Sequence, residues 1–500
     1  MSFLMLFVIV PLLTVTAILF SKDIKQTRWI AAIGMSIQLI LSAVLVVMYL
    51  KIRAAGITDD FVMVKNLVWF PSLNFNLTLG LDGISVSLIA LTSIVIFAGV
   101  FASWQMESLH REFFISLIVL ATGVFGFFIT IDLFAMFVFY ELAVIPMYLL
   151  IGIWGTGPKE YSAMKLTLML MAGSALIIVG LLGIYFHSAP EGGQLTMNLL
   201  EISRYKIPEN VQNFLFPFLF VGFGILGALF PLHTWSPDGH ASAPTAVSML
   251  HAGVLMKLGS YGVFRIALFL LPDAAHNQGS LFLILATIGI VYGALGAIMQ
   301  KDLKYINAYS SVSHCALILF GLLMFNRSAM DGAILQMISH GIMTALFFAL
   351  IGMIYGRTHT RMINEMGGLL RVMPLLGAVY IIGGLASLGL PGFSGFVAEM
   401  LVFFGAFTHA DTFHRVATVL AASSIVITAV YILRVVGIFL MGPIKDEHHR
   451  HLTDATWWEK ISVGTLLLFI TLIGVFPHFV TETLIGNSLG PALERLMSNF

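Results

Sequence analysis

The chain has 500 residues, of which 59% are hydrophobic and 10% are charged, and its mean hydropathy is +0.98. Soluble domains are about 45–50% apolar, so this composition excludes an ordinary soluble protein and indicates an integral membrane protein. Lys and Arg together number 25, as do Asp and Glu, so the net charge does not indicate a nucleic-acid partner.

Long apolar runs recur along the whole chain and predict an all-α polytopic membrane protein with about fourteen transmembrane helices. A helix needs about 20 apolar residues to cross a hydrocarbon core of about 30 Å. The strands of a membrane β-barrel would alternate polar and apolar residues, and these runs do not. The predicted spans are 3–20, 29–50, 79–103, 113–129, 131–155, 164–187, 212–233, 245–271, 280–299, 303–325, 328–355, 372–406, 415–441 and 460–481.

Two of these spans contain signals of a broken helix. The run 372–406 is too long for one simple span and includes LPGFSG at 390–395, around Pro391. The seventh span passes from GILGALF into PLHTWSPDGH, so that proline, histidine and aspartate interrupt it from Pro231 onward. Proline removes a hydrogen bond from the helix ladder, and interrupted helices inside a membrane are tolerated where they line a hydrated cavity.

The distribution of basic residues between the loops predicts the orientation of the chain. Loops after odd-numbered spans hold twelve Lys and Arg residues, and loops after even-numbered spans hold seven. Because basic residues concentrate on the cytoplasmic side, both termini are expected on the outer, periplasmic side.

Ionisable residues within predicted spans are costly, at about 2.5–3.5 kcal/mol each even on a permissive scale, so each one calls for a functional hypothesis. Glu141 lies deep in the fifth span, and we favour proton transfer for it over a hydrogen bond between helices. Lys257 lies in the middle of the eighth span. Burial disfavours the charged form of lysine, which allows Lys257 to release and retake a proton.

His314, His340 and Glu399 complete the set of candidate relay groups. The two histidines lie in neighbouring spans, near Ser311, Ser313 and Ser339, and Glu399 follows Pro391 by eight residues. Imidazole exchanges protons near physiological pH, so histidines together with a lysine and two glutamates favour a proton relay. The alternative is that each histidine simply packs between helices.

Other polar residues have simpler interpretations. Asp132 either caps the fifth helix or has a function, and Asp82 is placed similarly at the start of the third span. Arg265 is expected to extend toward the membrane surface. The cluster DEHHRH at 446–451 is better explained as a solvated loop than as a metal site, and the single cysteine, Cys315, as a small core residue. No nucleotide or redox-cofactor motif is found, so no cofactor and no metal is expected in this chain.

Four stretches resemble one known family. FVFYELAVIPMYLLIGIWG, FPLHTWSPDGHASAPTAVSMLHAGVLMKLGSYG, QKDLKYINAYSSVSH and GLPGFSGFVAE are similar to the antiporter-like membrane-arm chain M, or subunit 4, of respiratory complex I, the proton-pumping NADH:quinone oxidoreductase. The resemblance is strong over about residues 80–440. Mrp-type cation/proton antiporter chains and membrane-bound hydrogenase chains share the same core.

The resemblance implies one antiporter-like domain over 1–500, with two inverted five-helix repeats at about 113–271 and 280–441 and peripheral helices at 1–103 and 460–481. It implies broken helices near Pro231 and Pro391 and a polar axis along the middle of the membrane. Carried over by motif, the axis consists of five residues with proton-relay roles: Glu141, Lys257, His314, His340 and Glu399.

The resemblance also implies partners and a location. They are other antiporter-like membrane-arm subunits, the quinone-site module and the lipid bilayer of a bacterial inner membrane. NADH, FMN, iron–sulfur clusters and quinone would be bound by other chains of the complex. The alternatives are a subunit of a multi-chain cation/proton antiporter, and a structural relative whose pumping is impaired.

One position departs from the family pattern. The family normally has a lysine five residues before the proline of PLHTW, as the partner of the Glu141 position, and a further proline just after that lysine. Here these two places hold Leu226 and Ala228, and no lysine occurs between Lys206 and Lys257. A buried carboxyl group without a cation favours its neutral form, so Glu141 is expected to hold a proton much of the time.

Overall fold

The structure is a computed structural model that describes residues 2–190 and 192–497, and helices make up most of it. The α-helices are α1 (Leu6–Leu19), α2 (Ile24–Ala54), α3 (Gly83–Ala102), α4 (His110–Ile129), α5 (Leu133–Trp154), α6 (Lys159–Phe186), α7 (Leu199–Ser203), α8 (Glu209–Leu226), α9 (Trp235–Ser242), α10 (Thr245–Leu250), α11 (Met256–Gly262), α12 (Pro272–Met299), α13 (Leu303–Leu322), α14 (Arg327–Thr358), α15 (Leu369–Val372), α16 (Pro374–Ser387), α17 (Ser394–Phe407), α18 (Thr412–Val435), α19 (Trp457–Val475) and α20 (Asn487–Met497). Four π-helical segments join or extend them, at His251–Leu255, Val263–Leu268, Val436–Leu440 and Phe479–Gly486.

Helical segments lie in all fourteen predicted spans, which confirms the all-α polytopic membrane fold. Ten helices in the described part of the chain are long and apolar enough to cross a membrane, and three shorter apolar helices accompany them. The eighth span is divided among α10, α11 and two π-helical segments, and the twelfth is divided between α16 and α17. The number of fourteen crossings therefore stays a prediction.

A β-hairpin precedes the third span and corrects its predicted start. Strand β1 (Val62–Phe70) pairs antiparallel with β2 (Phe75–Leu81). The span was expected to begin at residue 79, but residues 79–81 belong to β2 and α3 begins at Gly83. Asp82 ends the strand and caps the helix, because its carboxylate accepts a hydrogen bond from the Ser85 N–H at 2.8 Å.

Both predicted helix breaks are present, and each contains residues with positive φ angles. After α8 ends at Leu226, Ala228 adopts a φ of 57°. The proline that the family pattern places at this position could not adopt that angle, because its ring holds φ near −65°. The freed Ile225 carbonyl accepts a hydrogen bond from Trp235 Nε1 at 3.1 Å. In the second break, Gly389 and Gly392 adopt φ angles of 67° and 98° on either side of Pro391.

Two helices in different halves of the chain begin in the same way. Asp132 precedes α5 and Asp302 precedes α13, and each carboxylate accepts a backbone N–H of its helix. Each also belongs to a short antiparallel bridge, Asp132 with Asn198 and Asp302 with Met362. Asp132 therefore has a structural role as a helix cap.

Arg265 forms a buried ion pair instead of extending toward the membrane surface as expected. Its guanidinium donates to the Asp82 carboxylate and to the Tyr261 hydroxyl, and both charged residues are at most 3% exposed. The Tyr261 hydroxyl also pairs with Ser85 Oγ at 2.9 Å. A charge taken out of water needs an opposite charge, so the pair joins the start of α3 to the segment after Lys257.

We predict that Asp82→Asn destabilises the protein by about 3–5 kcal/mol, because asparagine keeps the helix cap but leaves the Arg265 charge unpaired. The midpoint of thermal unfolding of the detergent-purified protein measures this effect. Adding the second change Arg265→Met removes the unpaired charge and should restore much of the lost stability. Glu447→Gln, which breaks the exposed pair with Arg450, is the matched control and should change little. Equal midpoints for Asp82→Asn and this control would contradict the prediction.

Candidate polar relay

The Lys257 side chain is fully buried among the candidate relay residues. The π-helical segment His251–Leu255 precedes it, and Lys257 Nζ donates to the Ala252 carbonyl at 2.5 Å, five residues back. A π-helical turn leaves a carbonyl outside the regular i to i−4 ladder, and such turns occur frequently at functional sites.

Two glycines bring this segment against α14. A Cβ atom on Gly341 would lie 2.5 Å from the Gly253 carbonyl oxygen, and one on Gly253 would lie 3.0 Å from the Gly341 carbonyl oxygen. Only glycine permits so close an approach of two backbones. The neighbouring residue His340 consequently reaches Lys257, with 2.8 Å between His340 Nδ1 and Lys257 Nζ.

The relay continues from His340 to His314 and Glu399. The two imidazole rings are stacked with their centroids 5.1 Å apart. His314 Nδ1 lies 3.4 Å from Glu399 Oε1 and 3.1 Å from Gln336 Nε2. The structure thus brings together four of the five predicted residues, Lys257, His340, His314 and Glu399, in that spatial order.

Glu399 lies between two cavities. One, of about 10 Å³, is enclosed and includes Ser313, Ser424 and Thr428 in its wall, and it is about the size of a single water molecule. The other, of about 670 Å³, lies among aromatic and aliphatic side chains of α17 and α18. The α16–α17 break therefore places the carboxyl group between a small polar space and a larger one near the protein surface.

Glu141, the fifth predicted residue, stands apart from the relay. Its side chain is half-buried in α5, and its polar neighbour is Ser174 on α6. No cationic side chain pairs with it among the described residues, and Oε1 is enclosed without a hydrogen-bond partner there. The protonation state of the Glu141 carboxyl group, which we expect to be neutral, stays a prediction.

The place of the missing lysine is filled by apolar packing. Leu226 is fully buried at the end of α8. His233, which follows the first break, packs against the rings of Phe230 and Tyr292. Lys165 on α6 pairs with Asp238 at 2.7 Å. No other cation in the described chain takes over the missing position.

Four functional candidates were missed or underrated by the sequence reasoning. His240 and His251 are fully buried, and their ring centroids lie 4.2 Å apart. Lys304 was counted as a loop residue, but it is buried and donates to the Ala243 carbonyl at 2.6 Å. Gln336 contacts His314, and its position four residues before His340 on the same helix was the available signal.

Comparison with known proteins decides the family. The model of the transmembrane family "NADH:quinone oxidoreductase/Mrp antiporter" matches residues 130–428. The NAD(P)H-quinone oxidoreductase chain 4 2 of Thermosynechococcus vestitus is 36% identical over 467 residues, which cover 92% of this chain and 86% of the relative. Chain 4-2 of Synechocystis is also 36% identical, over 92% of this chain and 87% of the relative.

The chain belongs to the NADH:quinone oxidoreductase/Mrp antiporter family.

Solved structures of the family share the fold over nearly the whole chain. A chain of respiratory complex I from Thermus thermophilus matches with a TM-score of 0.88 and 25% identity, covering 99% of both chains. A chain of the Mrp complex from Dietzia matches with a TM-score of 0.85 and 19% identity, over 100% of this chain and 98% of the other. The second likeness concerns the fold alone.

We predict that Glu141 is a neutral carboxylic acid at neutral pH, because no cation offsets the cost of burying its charge. Infrared difference spectra should contain a carboxylic acid band that Glu141→Gln removes. Leu226→Lys should weaken that band by supplying the family's cation, and Leu226→Met, the matched control, should leave it in place. Spectra of the unmodified protein in which Glu141 contributes only carboxylate bands would contradict the prediction.

Proposed function

We propose that this chain is a proton-translocating membrane-arm subunit of a complex I-like quinone oxidoreductase, acting only within the assembled complex. The observation that carries the proposal is the succession Lys257, His340, His314 and Glu399, with 2.8 Å between the first two side chains and 3.4 Å between the last two. Membership of the family and the relatives named chain 4 of NAD(P)H-quinone oxidoreductase support it.

Each group in this succession can hold a proton and pass it on. Lys257 Nζ donates to the Ala252 carbonyl and faces His340 Nδ1, which accepts when it carries no hydrogen. His314 Nδ1 lies within reach of both Gln336 Nε2 and Glu399 Oε1. In one tautomer this nitrogen accepts from the amide, and in the other it donates to the carboxylate. A change of tautomer therefore connects His314 to Glu399.

The five predicted residues have different places in this proposal. Lys257, His340, His314 and Glu399 form the relay, and Glu399 delivers protons to the cavity between α17 and α18. Glu141 belongs to the half that contains Leu226, where a cation is missing. Proton uptake through that half is accordingly reduced or follows the buried groups near Lys257.

We further propose that the chain consists of two inverted repeats, at about 113–271 and 280–441, with peripheral helices before and after them. The matching starts of α5 and α13 support this division. Leu133 N and Leu199 N donate to the Met197 and Ile131 carbonyls, each at 2.9 Å. In the second half, Leu303 N and Ile363 N donate to the Arg361 and Lys301 carbonyls, each at 3.0 Å.

The cofactors and partners follow from the proposed assembly. Quinone reduction, NADH, FMN and iron–sulfur clusters belong to other chains of the complex, and the neighbours of this chain are other antiporter-like subunits in a bacterial inner membrane. Among the solved structures, identity is 25% to the complex I chain and 19% to the Mrp chain, and this difference favours a complex I-like assembly over a cation/proton antiporter. Leu226 favours a second candidate function, a structural subunit whose own pumping is impaired.

We predict that Lys257→Met lowers the number of protons moved per quinone reduced, because it removes the group that passes protons to His340. The rate of proton transfer and the rate of quinone reduction can both be measured on the assembled complex in proteoliposomes. Lys460→Met, at an exposed position of α19, is the matched control and should leave the ratio unchanged. An unchanged ratio in Lys257→Met, with quinone reduction intact, would contradict the pumping role and support the structural subunit.

We also propose that both termini lie on the periplasmic side. With Lys304 buried, the odd-numbered loops retain eleven of their twelve basic residues, against seven in the even-numbered loops. A reporter fused to the C-terminus that is active only in the periplasm should be active. Activity of a cytoplasmic reporter at the same position would reverse the orientation.

A further inference from the structure

Two histidines and an aspartate meet in the connection between α17 and α18, outside the relay. His409 follows α17, Asp411 caps α18 and His414 lies in the first turn of α18. One donor atom from each residue lies within 4.8 Å of the others. The two imidazole rings are stacked with centroids 3.8 Å apart, and both Nδ1 atoms face the Asp411 carboxylate.

The distances are close to those of a tetrahedral metal site. Zinc ligands lie about 2.0–2.1 Å from the metal, which separates neighbouring ligand atoms by about 3.3 Å. His414 Nδ1 is 2.7 Å from Asp411 Oδ1, and His409 Nδ1 is 3.7 Å from the same oxygen. Shifts of less than about 1 Å would bring both pairs to the required separation. The three residues leave a fourth position for water.

Of the three residues in the cluster, His409 has a ring nitrogen without a hydrogen-bond partner. Its Nδ1 atom is enclosed and has no hydrogen-bond partner among the described residues. Its main-chain carbonyl accepts a hydrogen bond from Arg415 Nε at 2.9 Å, which holds the loop in place. Asp411 Oδ1, at 3.7 Å, is beyond hydrogen-bond distance of this nitrogen. An enclosed polar atom without a hydrogen bond is costly unless a cation binds there.

The charges around the cluster suit a bound cation. The Asp411 side chain is half-exposed, and its carboxylate accepts the His414 backbone N–H at 2.8 Å and supplies a negative charge to the cluster. The Arg415 guanidinium donates through Nε to the His409 main-chain carbonyl, at 2.9 Å.

We propose that His409, Asp411 and His414 bind one divalent transition-metal ion of the zinc class, which links the end of α17 to the start of α18. Two imidazoles and one carboxylate form a ligand set that zinc and its neighbours prefer over calcium or magnesium. The DEHHRH loop at 446–451, the other histidine-rich segment, does not bring three such donor atoms together in the structure.

The bound ion would act on the region that contains Glu399. Glu399 lies eight residues, or about 12 Å, before the end of α17. Phe403 and Phe407 of α17 and Thr418 and Val419 of α18 line the cavity beside it. An ion between the two helices therefore restricts the opening of that cavity. This effect on proton transfer rests on the proposed function, whereas binding of the ion does not.

Equilibrium dialysis of the purified, intact complex against buffered Zn²⁺ at neutral pH, followed by metal analysis, tests the site. We expect the double variant His409→Gln, His414→Gln to bind one zinc fewer per complex than the unmodified protein. We expect Asp411→Asn to weaken that site at least about tenfold. The control His448→Gln, His451→Gln, in the DEHHRH loop, should keep the full number. If the first double variant and the unmodified complex bind the same number of zinc ions, the proposed site is wrong.

Hydrogen exchange tests the link between the helices independently of pumping. Zn²⁺ should slow amide exchange in the end of α17 and the first turns of α18 in the unmodified complex, and should leave it unchanged in the His409, His414 double variant. Zinc binding without this protection would overturn the link between the helices. Because neither measurement uses proton transfer, a failure of the proposed function would leave both results interpretable.

Discussion

The contact between the backbones at Gly253 and Gly341 is the constraint on which the polar relay depends. Any side chain at either position would push the Lys257 segment away from α14, because a Cβ atom would lie within 2.5–3.0 Å of the opposing carbonyl oxygen. At this separation of the two backbones, Lys257 Nζ lies 2.8 Å from His340 Nδ1. Small residues commonly allow such close packing between membrane helices.

Inside a bilayer, every backbone and charged group needs a partner within the protein. The described chain meets this requirement in different ways at its irregular positions. The Ile225 carbonyl at the first break accepts from the Trp235 indole, and the Ala252 carbonyl at the π-helical segment accepts from Lys257. The second of these uses a titratable group as the partner. An irregular backbone and a proton-carrying side chain therefore stabilise one another at the centre of the relay.

The two halves of the chain differ in how their charges are supported. Lys257, the histidines and Glu399 form a succession of polar contacts, whereas Glu141 faces Ser174 and has lost the cation that the family pattern supplies. Leu226 and Ala228 both depart from the family pattern, and the left-handed backbone at Ala228 is one that proline could not adopt. The departure from the family pattern thus affects both the charge and the shape of the first break.

The sequence by itself determined the membrane class, the helices that cover the predicted spans, both breaks and the residue types of the relay. These features are local: a span needs about 20 apolar residues, and a break needs proline or glycine within a few positions. It did not predict the β-hairpin before α3, the pair of Arg265 with Asp82, the burial of Lys304 or the approach of His409 to His414. Lys257 and His340 are 83 residues apart, and Arg265 and Asp82 are 183 apart. Only the packing of the helices sets such distances, so the tertiary structure alone decided which of the costly charges meet.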